Sequence, residues 1–361
     1  MSALRIAVIG AGAFGRNHLR VYRELELAHP DLVQLAALVE PDTGRRAAFA
    51  STYDIPTFAT LPELFAANLS LDAASICVPT VHHASVAERL LLAGLDVLIE
   101  KPFAANLAQA DHIIDLAQTH SRIVAIGHLE RFNPAVTATM DALNQPMFFE
   151  SHRLSVFTPR SLDVDVVLDL MIHDLDIVLS LTNSPVSEVR AVGLPILSPK
   201  TDIANVRVEF ESGCVANFTA SRVSTEQVRK LRLFQPHQYL SLDFARQELL
   251  AISVDPAVVA AAIAAGSPPT PTAITTAATQ PPPASDRTLP AGAAHPTAGL
   301  TLTKSDIPKG EPLRLELEDF LHAVRTRTQP RVPAEAGRAA LSLALTINEQ
   351  IAAHAHRAGL L

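Results

Sequence analysis

One stretch decides the fold: Arg5-Ile6-Ala7-Val8-Ile9-Gly10-Ala11-Gly12-Ala13-Phe14-Gly15. Its first five residues form an apolar run, typical of a buried parallel strand, and a helical pattern follows the last glycine. Strand, G-x-G-x-x-G loop and helix in this order predict a dinucleotide-binding turn. Gly10 makes the tight turn, Gly12 lets the backbone approach a pyrophosphate, and Gly15 lets the helix lie close to the strand. The N–H groups at the helix start, at Ala13 and Phe14, are expected to face the phosphates.

An acidic residue ends the second predicted strand, Val33 to Val39, and bears on the choice of cofactor. The carboxylate of Glu40 can accept hydrogen bonds from both ribose hydroxyls and would repel a 2′-phosphate, so NAD is favoured over NADP. Arg45 and Arg46 follow closely and could receive a 2′-phosphate instead. NADP therefore stays open as the alternative.

The length of 361 residues favours two domains, and a hydrophobic content of 48% is enough for a core in each. We expect an α/β Rossmann domain over residues 1–130 and an α+β domain with an open, mainly antiparallel sheet over residues 131–361. Within the second domain, residues 266–303 are rich in Pro, Ala and Thr. Such a segment buries too little surface to offset its ordering entropy, so we expect a disordered insertion there.

Charge and composition exclude several classes of protein. The formal net charge of −8 argues against a nucleic-acid surface. No apolar run reaches the roughly 20 residues of a membrane-spanning helix, and the glycines near the N-terminus fit a phosphate loop better than a signal peptide. Cys77 and Cys214 stand in apolar, strand-like contexts without metal-ligand spacing, and we expect both to be reduced. These features predict a soluble, cytoplasmic protein.

Residues that follow the predicted parallel strands are candidates for the site, because ligands of open α/β sheets gather at the carboxyl ends of the strands. After the strand Ala74 to Val78, a turn carries Pro79, Thr80, His82 and His83, which could touch the nicotinamide end of the cofactor. The alternative is that these histidines cap the next helix, and we favour this for His82.

The next strand, Val97 to Ile99, runs into Glu100-Lys101-Pro102. Lys101 is either the working amine of a site or an ordinary surface lysine at a strand end. Glu100 is a candidate neighbour of the nicotinamide ribose. Pro102 predicts a rigid turn, with a cis bond as one form of it, that would aim the lysine.

Two further groups of polar residues extend the predicted site. Arg131 and Asn133 follow the strand Ile123 to Gly127 and could meet substrate hydroxyl or phosphate groups, although a domain-boundary ion pair would also explain the arginine. On a predicted helix over 166–181, Asp169 and His173 are four residues apart and share a face. The carboxylate could orient the imidazole as a general base. A structural Asp–His pair remains possible, as does a divalent metal held together with Asp174 and Asp176; we predict no metal.

Three ordered motifs carry a family resemblance: the glycine loop, Glu100-Lys101-Pro102, and Asp169-x-x-x-His173. Together they resemble the Gfo/Idh/MocA family (glucose-fructose oxidoreductase, inositol dehydrogenase, rhizopine catabolism), over nearly the whole chain apart from residues 266–303. The resemblance implies that Lys101 lies near the nicotinamide and the substrate hydroxyl. It also implies that Asp169 and His173 orient the substrate and move its proton.

The resemblance implies an NAD-dependent dehydrogenase that oxidises a sugar hydroxyl to a ketone. The motifs Gly127 to Pro134 and Asp169 to Asp176 are similar to those of family members acting on the 3-hydroxyl of UDP-N-acetylglucosamine in lipid A-type glycolipid synthesis. Three alternatives remain: a dehydrogenase of a free sugar or inositol, a lyase or epimerase that retains its NAD, and a non-catalytic sugar or NAD sensor. An open sheet leaves an apolar face uncovered, so we also expect a homodimer or homotetramer through that sheet.

Overall fold

The computed structural model describes residues 2–157, 164–255 and 300–359, with three further positions at 257, 260 and 264. The strands of its first sheet are β1 (Leu4–Ile9), β2 (Val33–Val39), β3 (Thr57–Phe58), β4 (Ala73–Ile76), β5 (Asp96–Glu100) and β6 (Val124–Gly127). They run parallel in the order β3-β2-β1-β4-β5-β6. The order reverses between β1 and β4, and this switch point opens a crevice at the carboxyl ends of the strands.

Helices cover both faces of this sheet, which explains its nearly continuous apolar strands. The connecting helices are α1 (Gly15–Ala28), α2 (Thr43–Tyr53), α3 (Leu61–Ala66), α4 (His83–Leu92) and α5 (Leu107–Thr119). Side chains of β1 alternate between the two layers: Ile6 and Val8 pack in the core that includes α1, and Ala7 and Ile9 pack in the opposite core. The alternation fixes the register of the sheet, because a slip of one residue would exchange the layers.

The second sheet has eight strands: β7 (Phe148–Val156), β8 (Val186–Leu194), β9 (Ile203–Phe210), β10 (Val215–Ser224), β11 (Val228–Gln235), β12 (Gln238–Asp243), β13 (Glu248–Val254) and β14 (Leu300–Lys304). Their order is β14-β13-β12-β11-β7-β10-β9-β8. All neighbours are antiparallel except β7 and β10. The predicted fold class, a Rossmann sheet followed by a mainly antiparallel sheet, is confirmed.

The remaining helices are α6 (Pro134–Asp141), α7 (Ile172–Thr182), α8 (Pro312–Thr326) and α9 (Ala334–Arg357). Helices α7 and α9 share the core that covers one face of the second sheet. Helix α8 returns to the first sheet, where Leu317 and Phe320 pack in the same core as α1. The division at residue 130 stays a prediction, and α8 joins the end of the chain to the nucleotide-binding sheet.

Two predicted segments differ from the structure. The helix predicted over 166–181 begins as a π-helical segment, Val167–Met171, before α7. Over a single turn, the spacing of apolar residues does not distinguish a π-helix from an α-helix. Part of the predicted insertion is a strand: Leu300 to Thr303 belong to β14 and pair with β13, where the alternating leucines and threonines suit a sheet edge. The rest of the predicted insertion, from 266 to 299, lies outside the described residues.

Two smaller predictions concern the cysteines and the membrane. Cys77 and Cys214 are both free thiols. Over the residues that the structure describes, none of the helices combines the length and apolar character needed to cross a bilayer.

Candidate active site

The glycine loop lies at the carboxyl end of β1, beside the switch point. Gly10 has φ of +94°, which favours glycine, and a Cβ there would lie 2.8 Å from the carbonyl oxygen of Cys77. A Cβ on Gly15 would lie 2.0 Å from the carbonyl oxygen of Gly10, so only glycine lets α1 start this close to the loop. By contrast, no described atom lies within 4 Å of a Cβ built on Gly12. The loop therefore leaves open space over Gly12, where a pyrophosphate would approach the backbone.

This contrast predicts different outcomes for two alanine substitutions. We expect Gly15→Ala to destabilise the protein by about 1–3 kcal/mol, because the added methyl overlaps the Gly10 carbonyl. We expect Gly12→Ala to leave the melting temperature unchanged and to weaken NAD binding about tenfold or more, because its methyl fills the space for the phosphates. Thermal melts and calorimetric NAD titrations measure both effects. Unchanged NAD affinity in folded Gly12→Ala would contradict the phosphate loop.

At the end of β2, Glu40 is buried and its carboxylate accepts three hydrogen bonds. The donors are the N–H of Ala11 at 2.8 Å, the N–H of Asp42 at 2.9 Å and Nη2 of Arg45 at 3.0 Å. Arg46 donates to the backbone carbonyl of Glu40 at 2.8 Å. Arg45 and Arg46, the two arginines that could bind a 2′-phosphate, thus both donate hydrogen bonds to Glu40. The Glu40 carboxylate also accepts a hydrogen bond from the glycine loop, through Ala11.

The turn after β4 brings Pro79 and Thr80 to the same edge, Pro79 exposed and Thr80 half-buried. His83 is buried, and its two ring nitrogens lie 3.0 Å from the Pro102 carbonyl and 2.9 Å from the Val78 carbonyl. Burial lowers the pKa of His83. Its ring therefore links the β4 turn to the Lys101–Pro102 turn, a structural contact that the sequence did not indicate.

The predicted place of His82 at the N-terminal cap of the next helix is confirmed, but its side chain is exposed and makes no capping hydrogen bond. The chain enters α4 through a 3₁₀ turn, Thr80–His82, whose backbone already points the N–H of His82 at the Pro79 carbonyl.

Lys101 stands at the carboxyl end of β5, and the peptide bond to Pro102 is cis, as the sequence suggested. Its Nζ donates to the backbone carbonyl of Asp169 at 2.6 Å and lies 3.6 Å from Asp169 Oδ1. The Lys101 side chain is 19% exposed. Burial lowers the pKa of Lys101 although Asp169 and Glu100 act in the opposite direction. A lysine in this state is better able to exchange a proton than a solvated one.

Asp169 belongs to the π-helical segment and His173 to the first turn of α7. The predicted Asp169–His173 pair does not form: the carboxylate of Asp169 contacts Lys101, and Nδ1 of His173 is buried without a hydrogen-bond partner among the described residues. Burial lowers the pKa of His173 well below its usual range, and the charges of Lys101 and Arg153 add to this. His173 is therefore a neutral imidazole near neutral pH, able to accept a proton.

A second histidine, which the sequence did not single out, lies beside His173. The ring of His128, directly after β6, is 6.5 Å from that of His173 and perpendicular to it. His128 is 1% exposed, and in the described structure neither ring nitrogen has a hydrogen-bond partner. Burial lowers its pKa as well. The sequence feature that could have identified His128 is its position, because it follows the carboxyl end of a parallel strand, as Lys101 does.

The contacts of Arg131 and Asn133 are internal. Arg131 is buried and its Nη1 lies 3.6 Å from Oδ1 of Asp176, so the alternative interpretation, an ion pair between the two halves of the chain, describes it. Asn133 caps α6 by accepting from the N–H of Ala135 at 3.1 Å and donates to the Phe244 carbonyl at 3.0 Å. Their predicted role as substrate ligands has no support from this geometry.

A buried arginine holds the floor of the site together. Arg153 of β7 donates to both carboxylate oxygens of Asp174, at 2.9 and 2.7 Å, and to Glu130 at 3.1 Å. Its guanidinium also lies over the ring of Phe244, 5.2 Å from the centroid. The two carboxylates raise the pKa of Arg153. This bidentate pair ties β7 to α7 next to His173, and it combines residues too far apart in sequence for any motif to link them.

Glu100 points away from the open crevice. Its carboxylate is buried and lies 2.8 Å from Nε2 of His18 on α1, with Glu316 of α8 close by. One ligand atom from each of His18, Glu100 and Glu316 lies within 4.8 Å of the others. Both oxygens of Glu316 are without partners in the described structure, and burial beside Glu100 raises the pKa of Glu316 well above its usual range. Contact between Glu100 and the nicotinamide ribose stays a prediction.

The buried carboxyl of Glu316 predicts a pH-dependent gain in stability for Glu316→Gln. The raised pKa means that ionising Glu316 costs stability, a cost absent below its ordinary pKa of 4.5 that grows as the pH rises toward the folded-state pKa. We therefore expect Glu316→Gln to melt about 2 °C or more above the wild type near pH 8, and equally near pH 4. The exposed Glu349→Gln on α9 is the control. An identical pH dependence in both variants would contradict the burial argument.

The fold and this crevice define the class: an oxidoreductase with a nicotinamide dinucleotide site on its first sheet. Residues 4–128 match the "Oxidoreductase family, NAD-binding Rossmann fold", and residues 135–235 match the "GFO/IDH/MocA C-terminal domain". The chain belongs to the Gfo/Idh/MocA family of oxidoreductases, as the three sequence motifs predicted.

Individual relatives agree with this assignment. The chain is 33% identical over 358 residues to UDP-N-acetylglucosamine 3-dehydrogenase of Acidithiobacillus ferrooxidans, covering 99% of this chain and 100% of that protein. A solved structure of that enzyme superposes with a TM-score of 0.82 and covers 98% of this chain and 99% of its own. Inositol 2-dehydrogenase of Leifsonia xyli is 31% identical over 194 residues, 52% of this chain and 56% of that protein. An aldose-aldose oxidoreductase from Caulobacter crescentus, 19% identical, shares the fold with a TM-score of 0.74, covering 98% of each chain.

Proposed function

We propose that this protein oxidises a sugar hydroxyl to a ketone, with the 3-hydroxyl of UDP-N-acetylglucosamine as the preferred target. The observation that carries the proposal is the contact between Lys101 and Asp169 near His173, whose Nδ1 has no hydrogen-bond partner among the described residues and whose pKa is lowered. The full-length likeness to a UDP-N-acetylglucosamine 3-dehydrogenase supports the choice of substrate. The 3-keto sugar would then be a substrate for amino transfer in the synthesis of lipid A-type glycolipids.

The cofactor would lie along the glycine loop, since the open space over Gly12 fits a pyrophosphate. NAD⁺ supplies the acceptor for the hydride that leaves the substrate carbon. At the other wall, the Lys101 ammonium donates a hydrogen bond to the substrate oxygen and stabilises the charge that develops as its proton departs. His173, neutral and half-buried, accepts that proton through its imidazole. Asp169 holds Lys101 in place.

We propose NAD rather than NADP as the cofactor. The buried carboxylate of Glu40 accepts a hydrogen bond from Ala11 of the glycine loop, at the strand end where the adenosine ribose would lie, and a 2′-phosphate there would face that negative charge. Arg45 is already paired with Glu40 at 3.0 Å, so it offers a 2′-phosphate less than a free arginine would.

NADH absorbance tests the proposed reaction directly. The wild-type protein is mixed with NAD⁺ and, in separate samples, UDP-N-acetylglucosamine, N-acetylglucosamine or inositol, and the best substrate is repeated with NADP⁺. We expect NADH with UDP-N-acetylglucosamine and a kcat/KM for NAD⁺ at least about tenfold above that for NADP⁺. Oxidation of inositol or a free sugar alone would overturn the substrate. Product formed without net NADH would instead identify an enzyme that retains its cofactor, and saturable binding without turnover would identify a sensor.

We also propose that the open face of the second sheet forms a homo-oligomer. Phe148, Phe234 and Tyr239 cluster on that face, with ring centroids 5.6 and 4.9 Å apart, and Phe234 is 39% exposed. Exposed aromatic clusters of this kind are usually covered by another protein surface. A monomer by light scattering at micromolar concentration would refute this.

A further inference from the structure

Arg229 lies on the covered face of the second sheet, at the end where the site opens. In β11, Leu231 and Leu233 are fully buried against the helices, and the two-residue period of a strand puts Arg229 on the same face. Arg229 pairs directly across from Arg153 of β7, the residue that holds α7 beside His173. Unlike Arg153, it lies beyond the helical cover and is exposed.

Within the part of the chain that the structure describes, no carboxylate balances the charge of Arg229. Around the site, Lys101 is paired with Asp169, Arg131 with Asp176, and Arg153 with both Glu130 and Asp174. The Arg229 guanidinium has neither a hydrogen bond nor an ion pair with any residue that the structure describes. The chain has a formal net charge of −8, so Arg229, a cation at the rim of the site without a described partner, is a local positive charge that attracts an anion.

The charge of Arg229 reaches the reacting groups. Burial lowers the pKa of His173, the charges of Lys101, Arg153 and His128 add to this, and the charge of Arg229 makes a further, smaller contribution. Arg229 pairs across from Arg153, and Arg153 binds Asp174, the residue after His173, so an anion bound to Arg229 would lie close to a sugar in contact with His173. A nucleoside-diphosphate sugar has this arrangement, because its diphosphate is joined directly to the sugar ring.

We propose that Arg229 binds the diphosphate of the substrate and so selects a sugar nucleotide over a free sugar. This inference rests on the proposed function, whose substrate class it specifies. A guanidinium can donate two parallel hydrogen bonds to phosphate oxygens, which a lysine in the same place cannot do. Lys230, the next residue of β11, is on the opposite face of the sheet, where its Nζ lies 3.9 Å from Oδ2 of Asp243.

Calorimetric titration with UDP tests this proposal without requiring turnover. We expect Arg229→Ala to weaken UDP binding about tenfold or more, Arg229→Lys to recover part of the loss, and Lys230→Ala to bind like the wild type. In the NADH assay with UDP-N-acetylglucosamine, Arg229→Ala should raise KM by a larger factor than it lowers kcat. Thermal melts confirm that each variant is folded, and Arg229→Lys keeps the test valid if the alanine variant is not.

Several outcomes would overturn the proposal. UDP affinity that is unchanged in Arg229→Ala and Arg229→Lys, or that falls equally in Lys230→Ala, would show that this arginine does not bind the diphosphate. A wild-type protein that does not bind UDP would do the same. The proposed reaction can be wrong while the anion site is right. UDP binding that depends on Arg229, without NADH formation, would contradict the reaction and support the anion site. Turnover of UDP-N-acetylglucosamine with an unchanged KM in Arg229→Ala would support the reaction and contradict the role of Arg229.

Discussion

Replacing Lys101 with methionine is expected to lower kcat by about 1,000-fold while NAD binding persists. Methionine has nearly the length of lysine but can neither donate a hydrogen bond to the substrate oxygen nor stabilise its developing charge, and loss of such a group costs about 10²–10⁴-fold. The lysine contacts Asp169 rather than the glycine loop, so the phosphate-binding turn should be unaffected. NADH absorbance with saturating substrates, together with calorimetric titration of NAD, measures both quantities.

The methionine variant should also stay folded. Burial already disfavours the ammonium of Lys101, as its lowered pKa shows, so an apolar side chain of similar shape is not expected to lower the melting temperature. Lys304→Met is the control, since Lys304 is paired with Glu248 at 2.9 Å on the edge strand β14. Turnover within a few-fold of the wild type in folded Lys101→Met would remove Lys101 from the catalytic site.

His173→Ala is the second large effect, and its diagnostic is the pH profile. We expect kcat to fall about 100-fold, the lower range for loss of a general base, because Lys101 still holds the substrate oxygen. In the wild type, His173 must be neutral to accept the proton, and its pKa lies well below 6.5. Wild-type activity should therefore persist below about pH 6.5 and fall only at more acidic pH, whereas the alanine variant should lack this acidic limb.

The pH of maximal stability should shift in the same variant. Because the folded-state pKa of His173 is lowered, its unfolded state binds the proton first, and stability is lost as the pH falls from about 6.5 toward the folded-state pKa. His173→Ala removes this loss, so its melting temperature should decline less steeply in acid. His120→Ala, exposed at the end of α5, is the control. If kcat of His173→Ala fell at acidic pH in the same way as kcat of the wild type, a group other than His173 would accept the proton.

Much of the fold could be predicted because its signals are local. The strand Val33–Val39 was predicted with both of its ends, and β1 and β5 to within a residue at each end. An apolar run between turn residues identifies a buried parallel strand without knowledge of its neighbours. The strand β14 was missed because its four alternating residues follow a long Pro-, Ala- and Thr-rich segment, and its partner β13 lies about 50 residues earlier.

Several contacts of the predicted site residues differ from the contacts that the sequence suggested. Lys101 stands at the carboxyl end of β5 and His173 in the first turn of α7, and after burial the charge of Lys101 is the next cause that lowers the pKa of His173. Yet Asp169, four residues before His173, contacts Lys101 instead, because the π-helical segment changes which groups face each other. Asn133 turned out to be a helix cap, a role that depends on where the next helix begins.

The sequence by itself determined the class of protein, because a glycine loop after a strand and a lysine at a strand end have chemical meanings that do not depend on distant contacts. Tertiary structure alone decided which charges neutralise each other. Arg153 is compensated by Glu130 and Asp174, while Arg229, across the same strand pair, has no described partner. Ion pairing depends on distances between residues far apart in the chain, and those distances exist only once the two sheets are packed together.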